Sequence, residues 1–364
     1  MPMIKLLPLY GNIGRMDLAA EVIKYLETKK SNFTEWEKLR FGTQTARYNC
    51  DYAKAADFSR RRFEMDPSDI TASNNAADNY LRINNPRQAL SELNDFDLRL
   101  RDMNITASSR ELWIAMSHYI LGEYDKAIKV IDTYPFKNIN GSYAHLYIEA
   151  VIRQGDLGKI DLVKEDFLNR DCFSRNGEKI REAELLLSIC NSLVSVGQDS
   201  LAKIYASQLE NWTISNKNDP DYLSFITLAY YFQGKFNEAI RASQLFESPW
   251  LNALRGVCYA KMMDRENAEK ELEIINSQEE QEYFSSIRNN YSTGRKNYLM
   301  AYILTALGDS DKAIDLLIQT PESCFPFHTD RYQFDHHFAS LYDDPRFISL
   351  VKPKMQLDLI SKSS

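Results

Sequence analysis

The chain has 364 residues, 44% of them hydrophobic and 12% aromatic, including 21 Tyr and 18 Phe, enough apolar material to exclude a disordered chain. Thirteen Gly and eleven Pro are too few for an all-β fold with its many tight turns. The formal net charge of −7 argues against nucleic acid, whose binders present a basic face to the phosphates.

The opening MPMIKLLPLYGNIG carries one early lysine and is broken by Pro8 and Gly11, so it does not read as a signal peptide. No run approaches the roughly 18 apolar residues of a membrane span. The expectation is no membrane insertion and a cytoplasmic location. The five cysteines (Cys50, Cys172, Cys190, Cys258, Cys324) are odd in number and contain no CxxC, which predicts buried free thiols in a reducing compartment. In that setting the five N-x-S/T sequons, at Asn32, Asn104, Asn140, Asn211 and Asn290, carry no meaning. Arg60, Arg61 and Arg62 are flanked by Asp57, Glu64 and Asp66 and read as a solvated helical face.

The stretch from Leu112 to Pro135 sets the pattern for the rest. Leu112, Ala115, Met116 and Tyr119 recur at spacings of three and four, as do Ala127, Ile128, Val130 and Ile131, so each half predicts one apolar helix face. Gly122 lets the chain reverse between them, and Ala127 keeps the crossing small. A turn-forming residue, a second residue two later and an alanine five later recur along the chain. The copies are Gly14–Met16–Ala19, Cys50–Tyr52–Ala55, Asn84–Pro86–Ala89, Gly122–Tyr124–Ala127, a degenerate Gly155–Leu157–Ile160, Gly197–Asp199–Ala202, Gly234–Phe236–Ala239, Met263–Arg265–Ala268 and Gly308–Ser310–Ala313. Pro67 and Pro135 stop second helices. The spacing between copies runs from 29 to 45 residues. The longer intervals predict a loop at 169–182 and a lengthened second helix followed by a turn at 278–297. The shortest predicts a tight junction at 247–250, with Pro249 opening a helix.

Nine copies in register resemble the tetratricopeptide repeat family over residues 3–320, most clearly at 108–135, 220–247 and 296–320. The resemblance implies an all-α fold, a right-handed superhelical solenoid of about nine helix pairs spanning residues 1–320. Residues 321–364 would be a C-terminal cap of the same unit. LYDDPRFISLVKP, from Leu341, is similar to a signature that closes such regions in bacterial signalling proteins: winged-helix regulators, adenylate cyclases and receptor kinases. Asp343 and Asp344 suit the start of a last helix at Pro345.

The sequence shows no Gly-rich phosphate loop, no GxSxG, no HExxH and no kinase catalytic loop, which predicts no enzyme and no cofactor. His118 and His145 read as partly exposed or satisfied helical histidines rather than catalytic ones. Cys324, His328, Asp330, Asp335, His336 and His337 are metal-binding types, but they match no zinc spacing. Adjacent His336 and His337 would leave a helix on different sides, while Phe334 and Phe338 dock it, so no metal is expected. A carboxylate clamp on the repeat pattern would use Arg40, Gln44 and Asn75, yet its third helix offers Ser109 and Trp113 instead of two basic residues. The remaining groove candidates are Met116, Tyr119, Ile120, Leu228, Tyr231, Phe232, Tyr298 and Tyr302. The resulting expectation is a non-enzymatic scaffold or adaptor holding a protein or peptide in its groove. The alternative is a sensory or regulatory module of a bacterial signalling or transcription-regulating system. An N-terminal helix without a polar cap leaves room for self-association through the ends of the array.

Overall fold

A computed structural model describes residues 2–12, 15–103, 110–133, 139–170, 172–173, 179–245, 248–277, 289–322 and 332–354. Helices pack in adjacent pairs, nine among the described residues. They are α1 (Leu6–Asn12) with α2 (Met16–Glu27), α3 (Glu35–Tyr48) with α4 (Tyr52–Met65), and α5 (Ile70–Arg82) with α6 (Pro86–Met103). Next come α7 (Arg110–Ile120) with α8 (Tyr124–Thr133), α9 (Gly141–Gln154) with α10 (Ile160–Asn169), and α11 (Glu182–Ser195) with α12 (Asp199–Ser215). The last are α13 (Tyr222–Gln233) with α14 (Phe236–Ser243), α15 (Pro249–Lys261) with α16 (Arg265–Ser277), and α17 (Asn289–Ala306) with α18 (Ser310–Glu322). A 3-10 helix (His336–Leu341) and α19 (Pro345–Val351) follow.

Among the described residues the recurring template marks the turns of the second to ninth pairs. Cys50, Asn84, Gly122, Gly155, Gly197, Gly234, Met263 and Gly308 all have positive φ, and among the described residues no others do. Gly14 lies outside the described residues. In each turn the amide following the left-handed residue donates to the carbonyl five positions back. Examples are Glu123 N to His118 O at 2.9 Å, Gln198 N to Leu193 O at 2.8 Å and Lys235 N to Tyr230 O at 2.9 Å. This bond satisfies a carbonyl at the end of the first helix and aims the chain back along it. The alanine five past the turn is buried in every copy, with Ile160 in its place in the degenerate one.

First helices also touch along the chain: α5 with α7, α7 with α9, α9 with α11, α11 with α13, and α15 with α17. At Gly256 an added Cβ would lie 2.4 Å from Ile303 Cδ1, so α15 and α17 can meet there only without a side chain. Ser248 caps α15 through Leu251 N, with Pro249 in the first turn as expected. The 29-residue interval reflects the short α14, only eight residues long. In the expected loop at 169–182, Cys172–Phe173 form a two-residue parallel ladder with Ile139–Asn140. The expected stop at Pro135 and most of the lengthened helix at 278–297 lie outside the described residues.

Two expectations need correction. Cys190 and Cys258 are free and buried, and burial pushes each thiol up to about 12. Cys50, however, is disulfide-bonded, so the cysteines do not form a wholly reduced set and do not argue for a reducing compartment. The side chains of Cys172 and Cys324 lie outside the described residues. Arg60 and Arg61 are on a solvated face, but Arg62 is buried and bonds Asp69 at 2.7 Å, because Asp69 caps α5 directly against α4. The C-terminal segment also makes a second attachment, away from the last pair. Arg346 of α19 pairs with Asp311 at the start of α18, yet Asn84 Nδ2, in the turn after α5, donates to Val351 O at 2.9 Å. Lys354 N donates back to Asn84 O at 2.7 Å. Residues 346–354 therefore reach from the ninth pair to the third. Among the described residues no helix is long and apolar enough to cross a membrane.

Met263 holds its left-handed turn while 94% exposed, with no packing in return. That conformation costs an L-residue about 1–2 kcal/mol, part of which glycine returns as unfolded-state entropy. Met263→Gly is expected to raise stability by about 0.5–1 kcal/mol and Gly234→Ala to lower it by about 1 kcal/mol. Urea unfolding checks both, and a Met263→Gly midpoint below that of the parent chain contradicts the turn's assigned role.

Candidate functional site

Residues 332–338 lie on a face made by the first helices α7, α9, α11, α13, α15 and α17. The segment enters with Tyr332, fully buried, its ring 5.0 Å from that of Tyr298. Phe334 follows. Its ring is 4.6 Å from Tyr119 of α7, and the Arg153 guanidinium of α9 sits 4.4 Å over it. Arg153 also donates to Tyr119 Oη at 2.8 Å, to Ser195 Oγ at 2.7 Å and to the Phe334 carbonyl at 3.2 Å. One side chain thus joins α7, α9, α11 and the segment's backbone. Phe334 packs against both larger apolar cores of the molecule.

Asp335 is the polar centre. Its Oδ2 accepts from Tyr298 Oη at 2.6 Å and also from Tyr302 Oη, both on α17. Its Oδ1 accepts from the His337 amide at 3.0 Å, capping the 3-10 helix, and lies 2.9 Å from His337 Nδ1. A buried carboxylate is costly unless its lone pairs are filled, and here donors serve both oxygens. Burial alone would raise the Asp335 carboxyl. The His337 and His336 rings and the Tyr298 hydroxyl outweigh it and hold Asp335 below the ordinary carboxylate range.

His336 packs between Tyr231 and Phe232 of α13, ring centres 6.0 and 5.4 Å away, with Nε2 3.5 Å from Tyr231 Oη. His337 stacks on Tyr302 at 3.9 Å. The two imidazoles are 3.9 Å apart, at the start of a 3-10 turn (336–341) capped by Asp335, His336 held by Tyr231 and Phe232 and His337 stacked on Tyr302. The expected divergence of the pair is therefore corrected. Phe338 docks as expected, buried against Tyr298 and Tyr302. Tyr342 Oη donates to the Asp335 carbonyl at 2.8 Å, and Phe347 of α19 packs 6.1 Å from Phe338. Beside the histidines a cavity of about 280 Å³ is lined by Glu149, Asn191, Ser192, Leu228 and Trp250 among others.

Of the groove candidates, Tyr119, Tyr231, Phe232, Tyr298 and Tyr302 all touch the segment, and Leu228 lines the cavity. Ile120 is buried in the core around α5 and α6, with Met116 half-buried against it. Arg40 and Gln44 lie on α3 and Asn75 on α5, and Arg40 stacks on Trp36 of its own helix at 5.3 Å. These three do not join the aromatic site. His118 is satisfied by Glu123 at 2.6 Å. Cys324, His328, Asp330 and Ser109 lie outside the described residues. Arg153 and Asn84 carried no sequence signal beyond their places in a first helix and a turn.

No protein-family model matches the chain, and no curated protein matches it.

Burial and the adjoining His337 push the His336 pKa well below its ordinary 6.5, with Lys261 lowering it further and Asp335 opposing. Docked His336 is therefore neutral, whereas a released segment takes up a proton below about 6.5. Docking loses about tenfold in its equilibrium constant per pH unit below that point. Asp335's own contribution is lost only in stronger acid, below its ordinary 3.8. Amide hydrogen exchange at 336–341, corrected for intrinsic rate, should lose protection between pH 6.5 and 5. Protection unchanged over that interval contradicts the neutral docked histidine.

Proposed function

We propose that this chain is a non-enzymatic interaction protein of the tetratricopeptide-repeat kind, a right-handed superhelix whose concave groove binds polypeptide. In this reading the groove recognises an aromatic–aspartate–aromatic segment, and residues 332–338 fill it until a partner with similar chemistry displaces them. The observation that carries it is the seat of Asp335, a carboxylate on two tyrosine hydroxyls between the anchored rings of Phe334 and Phe338. Arg153 adds recognition of backbone through the Phe334 carbonyl. These are the elements of peptide capture in a groove: aromatic anchors, a fixed anion and a main-chain contact.

The regulatory alternative draws on the same segment. Asp344 caps α19 through Arg346 N at 2.8 Å, Pro345 opens it, Phe347 is buried and Arg346 reaches Asp311. The terminal signature thus ties the groove's occupant to the last pair. In the adaptor reading that tie keeps the occupant local and sets its effective concentration.

A labelled peptide spanning residues 332–343, added to full-length protein carrying Phe334→Ala and Asp335→Ala, tests the reading. The variant groove should bind it at least about tenfold more tightly than the unaltered chain, whose own segment competes. The Asp335→Asn peptide should lose at least about tenfold, as expected for a charged hydrogen-bonded group. Equal binding by the two proteins, or no penalty for the altered peptide, sinks it.

A further inference from the structure

We propose that Asp335, His336 and His337 together bind one divalent transition-metal ion of the zinc, cobalt or nickel type. One donor atom from each residue lies within 4.8 Å of the other two. The three side chains are 12%, 6% and 10% exposed, so the cluster is an interior one rather than a patch of surface acids. Two imidazoles and one carboxylate suit borderline first-row ions, whereas calcium and magnesium take oxygen.

Three further features point to a ligand. The Asp335 carboxylate is divided in its duties. Tyr298 and Tyr302 hold Oδ2, leaving Oδ1 turned toward the histidines, as outer hydrogen bonds orient a ligating carboxylate. His337 Nε2 is buried and has no hydrogen-bond partner, an unusual cost for an interior ring nitrogen. The cavity of about 280 Å³ adjoins the cluster and leaves room for water or another donor in the remaining positions. Three protein ligands with open positions are the arrangement of accessible rather than closed zinc sites.

His337 offers a ring nitrogen beside Asp335 Oδ1, the carboxylate oxygen turned toward the histidines. His336 supplies Nδ1, 4.0 Å from Asp335 Oδ1, while Nε2 stays beside the Tyr231 hydroxyl. Lys261 and Arg153 lie near enough to disfavour a cation, and Glu149 on the cavity wall opposes them. The site exists only while residues 335–337 occupy the first-helix face, so the ion would pin that segment there.

The test is titration of full-length, chelator-stripped protein with Zn²⁺ and Co²⁺. The expected result is one equivalent bound, with a Co²⁺ ligand-field absorption and no thiolate charge-transfer band. The His336→Gln/His337→Gln chain should bind at least about 100-fold more weakly, and Tyr298→Phe/Tyr302→Phe about tenfold more weakly. No stoichiometric binding, full binding by the double-glutamine chain, or a thiolate spectrum each overturns the proposal. Should the double variant fail to fold, X-ray absorption on the Zn²⁺-loaded native chain decides. Two imidazoles support the site, and fewer than two overturn it.

Discussion

Each helix pair from the second to the ninth depends on one backbone bond, the amide after a left-handed residue donating to the carbonyl five positions back. It is found with glycine, asparagine, cysteine and methionine alike at the turn, so the geometry is held by the pair as a whole rather than by glycine alone. Closing the turn sets a buried small residue five positions later against the first helix. That close approach frees the opposite side of the first helix to meet the first helices of neighbouring pairs. Tyr119, Arg153, Leu228, Tyr298 and Tyr302 face one site because of this stacking, though they are spread over nearly two hundred positions.

Such a face cannot satisfy itself. It carries tyrosine hydroxyls with apolar rings, and an arginine whose guanidinium reaches across three helices. The chain resolves this with its own segment, bringing a carboxylate to the hydroxyls, a carbonyl to the arginine and rings to the rings. Removing the aspartate side chain would leave the tyrosine hydroxyls without their acceptor. Removing the tyrosines would leave a buried anion short of donors, the more costly error. The interaction therefore specifies which segment lies here more than it adds net stability. Asn84 fastens the far end by accepting and donating main-chain bonds to residues 351–354, which limits how far the segment can stray.

Much of the pairing was legible in the sequence because it rests on local rules. Gly122, Gly234 and Gly308 advertise left-handed turns, and Ala127, Ala202 and Ala313 advertise close crossings. Even Cys50, Asn84 and Met263, poor turn residues by type apart from the asparagine, were recoverable from register. The aromatic face was legible in part, since Tyr231 and Tyr302 recur on first helices. Its occupant was not. The path from α18 to Tyr119 and on to Asn84 involves contacts up to 268 positions apart, which no periodicity encodes. His336 and His337 misled because distant rings on α13 and α17 fix where their imidazoles lie, not the local helical spacing. The burial of Arg62 escaped notice because its partner Asp69 is a cap of the next helix.

The central claim is that Asp335 is seated on Tyr298 and Tyr302, and a double-mutant cycle measures that contact most directly. Asp335→Asn, the Tyr298→Phe/Tyr302→Phe pair and their combination would be compared by urea unfolding. A contact predicts a coupling energy of about 1 kcal/mol or more, the combined variant being far less impaired than the sum of the two changes. Strict additivity, with coupling below about 0.3 kcal/mol, would mean that Asp335 does not rest on those hydroxyls in solution and would contradict the account.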